Sequence, residues 1–469
     1  NLDLDIQAIE SDSRKVSKNT MFIAISGFAT DGHKYIKQAI ENGASAIMVQ
    51  EGAKISKEDV TDDVTIIMAP DTRIAAAKVA CNFYKNPSKK LKLIGVTGTK
   101  GKTTTTFMIK AILEAQGKKV GLIGTVANYI CGKNLGESSR TTPDSLELQK
   151  LFSDMVEAGA EYAIMEVSSQ ALKLHRVDGC DFDIGVFTNF SEDHISDHEH
   201  PDMEDYFNSK LKLIERSKAS FINADDFRVS KIKKLLPEKN IKSYGIDNEA
   251  DLIAKDITIT NSSVDFKVKI NGKNERVKTG IPGRFSVYNS LAAISVVSKL
   301  GVDAETIKEA LLNVRVPGRS ELVDNKKGLT IMIDYAHSPE SLQSILSAVK
   351  SYTRGKVISV FGCGGDRDKT KRPIMGKIST SIADFTIITS DNPRTEDPDT
   401  IVNEIEVGAK KAKGKYKKIV NRTEAIKYAI NMASKNDIIV LAGKGHETYQ
   451  EINGIKHHYD EREIIKEVI

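Results

Sequence analysis

The segment Leu93-Ile-Gly-Val-Thr-Gly-Thr-Lys-Gly-Lys-Thr-Thr104 runs from a short apolar stretch, through two glycines, into a helical pattern. Residues of these types at this spacing suit a polyphosphate. Glycines let backbone N–H groups converge on phosphate oxygens, and a helix N-terminus adds partial positive charge. Lys102 supplies a full charge, and the Thr103 hydroxyl can ligate Mg2+. The commoner form of such a loop, G-x-x-x-x-G-K-[ST], has a glycine where this chain has Val96, so the segment reads as a variant. A glycine-rich turn with a solvated lysine is the competing reading; strand, loop and helix fall where phosphate binding needs them.

Two acidic groups follow. Glu166, in Met165-Glu-Val-Ser-Ser169, sits at the end of an apolar run, the edge where open α/β sheets bind ligands. It reads as a Mg2+ ligand or as a helix-capping acid. Asp193-His-Ile-Ser-Asp-His-Glu-His200 also follows a strand end at Thr188-Asn189. Alone, it fits a two-metal hydrolase or a solvated polar loop, and beside a phosphate loop it favours nucleotide-linked Mg2+.

These groups need a scaffold. At roughly 150 residues per domain, 469 residues imply about three domains, and 40% hydrophobic content furnishes each with a core. Short apolar runs at Met21–Ile25, Ala46–Val49 and Val64–Met68, with a helical pattern over Tyr35–Asn42, indicate a small N-terminal α/β domain, residues 1–88. From Leu91 the rhythm becomes buried strands alternating with helices (Lys92–Thr97, Val120–Thr125, Tyr162–Val167, Asp183–Asn189, Ala219–Asn223), a mostly parallel P-loop-type sheet with helices on both faces. Between Leu252 and Ile281 the period drops to two, with Asn271-Gly272 as a hairpin turn, and predicts an antiparallel flap attached to that sheet. Helices over Ser286–Leu300 and Ala304–Val314 close this central domain, residues 89–316. Strands near Thr330–Tyr335, Lys356–Phe361, Phe385–Ser390, Lys417–Val420 and Asp437–Ala442 make residues 317–469 a Rossmann-like, doubly wound domain.

Composition excludes other classes. Sixty-eight Lys and Arg against 64 Asp and Glu leave +4, too balanced for a nucleic-acid binder. Four scattered cysteines (Cys81, Cys131, Cys180, Cys363) suggest neither disulfides nor thiolate zinc, and fit a reducing cytoplasm. No apolar run approaches the ~18 residues of a membrane span, and the acidic start is unlike a secretion signal. A soluble cytoplasmic monomer is expected, without nucleic-acid or membrane partners. The first residue, Asn1, suggests a trimmed or partial N-terminus.

Taken together, Gly98-Thr-Lys-Gly-Lys-Thr103, Glu166-Val-Ser-Ser169, Asn189 with Asp193-His194, Tyr206-Phe-Asn-Ser-Lys210, Asn289, Pro317-Gly-Arg319 and Asp334-Tyr-Ala-His-Ser-Pro339 resemble the ATP-dependent Mur ligases of peptidoglycan synthesis. Ser11-Asp-Ser-Arg14, Phe361-Gly-Cys-Gly-Gly-Asp-Arg-Asp368, Asp391-Asn-Pro-Arg394 and Gly443-Lys-Gly-His-Glu447 look like the branch that adds the third residue of the stem peptide. The resemblance implies one substrate per domain: UDP-sugar, ATP and amino acid. It implies phosphorylation of the D-glutamyl carboxylate of UDP-N-acetylmuramoyl-L-Ala-D-Glu by ATP and displacement of phosphate by an amine.

On that resemblance the ATP contacts are Gly98, Thr99, Lys100, Gly101, Lys102, Thr103 and Thr104, with Asn289, Arg319 and Asp334. The catalytic set is Lys102, Glu166, His194 and Lys210. Thr103, Glu166, His194 and a CO2-derived carbamate on Lys210 would hold two Mg2+ ions, whereas a lone lysine on a helix ordinarily marks a solvated face. Ser13, Phe28, Ala29 and Thr30 resemble UDP contacts; Thr141, Thr142, Ser168 and Arg176 resemble contacts to the muramoyl dipeptide. Two departures are evident: Leu174 replaces a Gln found in some members, and the loop Asp193–Pro201 is longer, leaving His198 and His200 without assigned roles.

For the acceptor, Asp391, Asn392, Pro393 and Arg394 are the most informative. The planar fork of Arg394 suits bidentate pairing with a carboxylate, and diaminopimelate carries a distal carboxylate that lysine lacks. Arg367 would anchor a second charged end, and Gly443 with Glu447 the distal ammonium. The meso isomer is the expected acceptor. A turn with an interdomain salt bridge, L-lysine as acceptor, and a nucleotide-switch regulatory protein are the competing readings.

Overall fold

The computed structural model describes residues 3–27, 30–55, 60–61, 63–136, 138, 140–193, 195–196 and 199–469. Its contacts group into two units, residues 1–252 with 292–302, and residues 253–291 with 303–469.

The first unit holds two sheets. Strands Ala8–Glu10, Thr20–Ile23, Ala44–Gln50 and Thr65–Ala69 lie in chain order, all parallel. Alternation sorts their side chains: Phe22, Ala24, Ile47 and Val49 pack with Ile36 and Ala39, while Ile9, Ile23, Met48 and Ala69 pack with Ala76 and Ala80 of helix Thr72–Phe83. Sequence patterning indicates neither the first strand nor that helix. The helix is alanine-rich, and Asp71 starts it by accepting from the N–H groups of Arg73 and Ile74.

The second sheet has nine strands. Six run parallel in the order Ile241–Gly245, Ala219–Asn223, Phe182–Phe187, Lys92–Thr97, Tyr162–Glu166, Val120–Ile123. Lys92–Thr97 is paired on both sides, so three strands deliver their C-terminal ends to one place. Leu93, Ala163, Met165 and Ile123 fill a cluster with Leu148, Leu151 and Phe152 of helix Ser145–Glu157. Gly95 is glycine because a Cβ there would lie 2.7 Å from the Phe182 ring.

In the second unit, Lys255–Ile259, Val264–Ile270 and Lys273–Thr279 form an antiparallel sheet of their own. The antiparallel expectation holds, as does the turn, with Asn271 and Gly272 both at positive φ. The flap does not extend the nine-stranded sheet but forms one of its own, whose strand Lys273–Thr279 packs on helix Ala304–Asn313.

The last sheet runs Glu321–Leu322, Thr330–Asp334, Ile438–Ala442, Val357–Phe361, Phe385–Ile388, Tyr416–Lys418, with only the first strand antiparallel. Met332, Phe361, Ile438 and Val440 face helices Pro339–Tyr352, Lys371–Ile382 and Pro398–Ala412; Ile331, Ile333, Ile358 and Leu441 face helices Arg422–Met432 and Glu461–Val468. Helices cover both faces. Chain order reverses between Val357–Phe361 and Ile438–Ala442, which opens a crevice beyond their C-terminal ends. The hairpin Tyr449–Ile452/Ile455–His458 follows, unannounced by any apolar alternation. No described helix is long and apolar enough to cross a membrane, and the four cysteines are free.

Candidate active site

The phosphate loop lies between strand Lys92–Thr97 and helix Lys102–Ala115, as the sequence predicts. Gly98 has φ +139° and Gly101 φ +85°. A Cβ on Gly98 would sit 2.0 Å from Thr188 Oγ1, so only glycine fits against the neighbouring strand end. Thr188 Oγ1 donates to the Lys100 carbonyl (2.6 Å), while Asn189 donates through Nδ2 to the same oxygen and accepts from the Lys100 N–H, both at 2.9 Å. Thr188 and Asn189 therefore set the loop's shape. Gly98→Ala is expected to raise the KM for ATP by about tenfold or more, since strain of a few kcal/mol falls on the loop; steady-state kinetics with the nucleotide varied checks this.

Lys102 donates from Nζ to the Gly98 and Thr99 carbonyls at 2.9 and 3.0 Å, so its ammonium lies within the loop. Lys210, on helix Met203–Arg216, donates to the same Gly98 carbonyl at 3.0 Å. The solvated-face reading fails here: Lys210 is 2% exposed and its Nζ lies 4.4 Å from the centre of the Tyr206 ring. Burial, with the Lys102 cation beside it, holds the Lys210 amine well below the ordinary lysine range.

Glu166 is 1% exposed at the end of its strand. Its Oε2 accepts from Thr103 Oγ1 (3.0 Å) and Thr125 Oγ1 (3.1 Å), and its Oε1 from the Thr125 N–H (2.9 Å). It caps no helix: Ser168 does that, accepting from the Ala171 N–H. Thr125 was not singled out by sequence; no motif marks it, and only the parallel pairing of Val120–Ile123 with Tyr162–Glu166 brings it close. Next to this carboxylate, Thr142 Oγ1 donates to the Glu166 carbonyl, the Ser168 N–H donates to Thr142 Oγ1, Thr141 and Thr125 share a hydroxyl contact, and buried Arg176 donates to the Thr142 carbonyl and pairs with Asp144. All four residues assigned to the dipeptide thus border the phosphate loop's acid.

Among the described residues no three His, Cys, Asp or Glu side chains form a metal-binding group. His194 and His198 lie outside the described residues, as do Phe28 and Ala29. His200 is a satisfied core histidine, bonded to Asp205 (2.7 Å) and Ser169 (2.9 Å). In the connections of the first sheet, Ser13, on the short turn Ser13–Lys15, is buried and donates to Gln38, and Thr30 meets Tyr35 through its hydroxyl. Asn289 is buried on helix Arg284–Lys299. Asp334 accepts from the Ser320 and Ala336 N–H groups, and Arg319 stacks over Tyr335.

The residues expected to hold the acceptor gather at the crevice of the last sheet. Asp391 is buried; burial would raise its carboxyl, but Lys444 and Arg422 outweigh this and hold it below the usual range. Gly443 makes room for it, since a Cβ there would meet Asp391 Oδ2 at 2.5 Å. Asn392 donates to Glu447 Oε2 (2.9 Å) and accepts from Lys444 Nζ (3.0 Å) and the Glu451 N–H (3.0 Å). Burial, with Asp391 nearby, pushes the Glu447 carboxyl up. Arg394 has φ +51°, pairs through Nε with Glu451 (3.0 Å) and donates from Nη1 to the Gly365 carbonyl (2.7 Å). Part of its fork is thus already engaged by the hairpin. Arg367 is exposed on the loop after Val357–Phe361.

A parallel sheet bearing a phosphate loop, followed by a doubly wound sheet with charged groups at its crevice, defines a multidomain nucleotide-dependent α/β protein. Residues 5–84 match the Mur ligase family catalytic domain, residues 96–297 the Mur ligase middle domain, and residues 318–445 the Mur ligase glutamate ligase domain. The chain belongs to the Mur ligase family. It is 49% identical to a UDP-N-acetylmuramoyl-L-alanyl-D-glutamate–2,6-diaminopimelate ligase of Caldanaerobacter subterraneus subsp. tengcongensis, covering 100% of this chain and 96% of that one. It is 47% identical to the ligase of that name from Clostridium botulinum, covering 99% and 95%. A solved structure of a ligase of that name superposes with a TM-score of 0.71 at 31% identity, covering 99% of this chain and 94% of that one.

Proposed function

We propose that this protein joins 2,6-diaminopimelate, in its meso form, to the D-glutamyl carboxylate of UDP-N-acetylmuramoyl-L-alanyl-D-glutamate at the expense of ATP, as a cytoplasmic monomer serving cell-wall synthesis. The observation that carries this reading is the crevice in which Arg394 and Glu447 are tied together through Asn392 and the hairpin. A guanidinium and a carboxylate in one cleft suit an acceptor whose far end bears both a carboxylate and an ammonium. The relatives named above are called 2,6-diaminopimelate ligases of the same UDP-linked dipeptide, which supports the joined substrates of this reading.

Loop N–H groups and Lys102 take the nucleotide's phosphates, with Thr99, Lys100, Gly101 and Thr104 lining the loop and Asn289, Arg319 and Asp334 as further nucleotide contacts. Arg176, Thr141, Thr142 and Ser168 hold the dipeptide end, while Ser13 and Thr30 serve the uridine end. A D-glutamyl oxygen attacks the γ-phosphorus and ADP leaves, converting a poor acyl donor into an acyl phosphate. The acceptor amine then adds to the acyl carbon, loses a proton, and phosphate departs with its oxygen.

Thr103 and Glu166 offer a hydroxyl and a buried carboxylate 3.0 Å apart, hard oxygens few enough for an ion that keeps waters and takes phosphate oxygens. They fit Mg2+, which neutralises charge on the transferred phosphoryl group when bound. Lys210, whose amine burial and Lys102 hold well below the ordinary lysine range, fits capture of CO2 as a carbamate, which would put an oxygen donor where an ammonium cannot serve.

The test is an acceptor panel of meso-diaminopimelate, LL-diaminopimelate, L-lysine and L-ornithine with UDP-dipeptide and Mg-ATP, followed by product mass. Expected is the meso-diaminopimelate adduct, with phosphate released only when dipeptide and acceptor are both present. Equal use of L-lysine, or phosphate release with neither substrate, overturns the reading.

A further inference from the structure

Arg372, on helix Lys371–Ile382, has a fully buried side chain. Its Nη1 donates to Glu396 Oε2 (2.9 Å) and Glu404 Oε2 (2.6 Å); its Nη2 donates to Glu396 Oε1 (2.8 Å) and the Gly364 carbonyl (3.3 Å). A guanidinium removed from water needs such partners. The two carboxylates differ in what else they hold. Glu404 lies within helix Pro398–Ala412, whereas Glu396 Oε1 also accepts the Asp366 N–H at 2.6 Å. Glu396 thereby joins the loop bearing Arg367 to the loop bearing Arg394.

More bonds run along that seam. The Gly365 N–H donates to the Asn392 carbonyl (2.9 Å), Arg394 Nη1 to the Gly365 carbonyl (2.7 Å), and Thr395 Oγ1 to Asp366 Oδ1 (2.7 Å). A Cβ on Gly365 would lie 1.9 Å from the Pro393 carbonyl, so the loops touch backbone to backbone.

We propose that Arg372 and Glu396 form a positioning pair that fixes the separation of the loops carrying Arg367 and Arg394, and so sets which span of acceptor charge the site accepts. The proposal rests on the acceptor site described above. Neither residue touches the acceptor; they act through the two loops. An acceptor gripped at both ends senses such a separation, because moving either loop lengthens one of the two charge-assisted pairs that hold it and so weakens its binding.

The test compares E396Q, E404Q and T395V in the full chain. E396Q should raise the KM for meso-diaminopimelate by about tenfold, leave kcat and the KM for ATP within about twofold, and narrow the preference over L-lysine. E404Q should lower the thermal midpoint without changing the acceptor KM. T395V removes one exposed cross-loop bond and should move the acceptor KM the same way by about threefold, which decides the matter should E396Q fail to fold. Equal shifts in E396Q and E404Q, or no shift in E396Q and T395V, overturn the proposal. A wild-type chain that makes no diaminopimelate adduct overturns the functional reading and this pair's role with it, whereas a working wild type with unresponsive variants overturns the pairing alone.

Discussion

Lys210→Ala is expected to cut the ligation rate by about 10^3-fold, the scale of losing one preorganised charge-stabilising group, while the protein still binds nucleotide. A buried amine beside another lysine is a poor structural choice: desolvation and the Lys102 charge both work against its protonation. Those same influences favour its neutral form, and only a neutral amine attacks CO2. The resulting anion would lie next to the Lys102 ammonium, which stabilises it. Lys210→Met, which conserves length and apolar bulk, should be as inactive as the alanine variant yet melt no lower than wild type. Carbon-13 spectra of wild type in labelled bicarbonate should contain a carbamate carbon that both variants lack. Turnover within tenfold of wild type in either variant overturns this role.

Arg394→Ala is expected to lower kcat/KM for meso-diaminopimelate by about 100-fold, equivalent to a charge-assisted pair of about 3 kcal/mol, with little change for L-lysine. The structure refines this expectation. Arg394 is pinned by Glu451 and the Gly365 carbonyl, so its orientation precedes the acceptor's arrival. Arg394→Lys should behave nearly as badly as alanine, because an ammonium cannot keep those partners and also present a planar edge. Steady-state kinetics with both acceptors decides: unchanged selectivity between them removes Arg394 from the acceptor site.

The phosphate loop was legible because its chemistry demands glycines between a strand and a helix, and such residues are contiguous. The strands of the last sheet were legible for a similar reason, since burial on both faces leaves unbroken apolar runs such as Ile438–Ala442. What lay hidden is what parallel pairing assembles. Thr125 and Thr188 reach the site from strands far away in sequence; no motif marks Thr125, and in the sequence Thr188 is no more than the strand end before Asn189. Arg372 hides differently: an arginine in a Lys-Arg-Pro helix start reads as solvent-facing, and only two glutamates met through tertiary folding make its burial tolerable. The hairpin Tyr449–His458 escaped because its outer strand is exposed throughout and carries no alternation. His200 misleads in the opposite direction, sitting in a metal-like cluster while serving as a hydrogen-bonded core residue.

The Gly98 carbonyl accepts from Lys102 and Lys210 alike. One oxygen therefore couples the group that receives phosphates to the group that would become a carbamate. Phosphates entering the loop would compete for the Lys102 ammonium, and whatever they drew away would leave that oxygen to Lys210 alone. A nucleotide bound in the loop would therefore reach Lys210 through a single peptide unit.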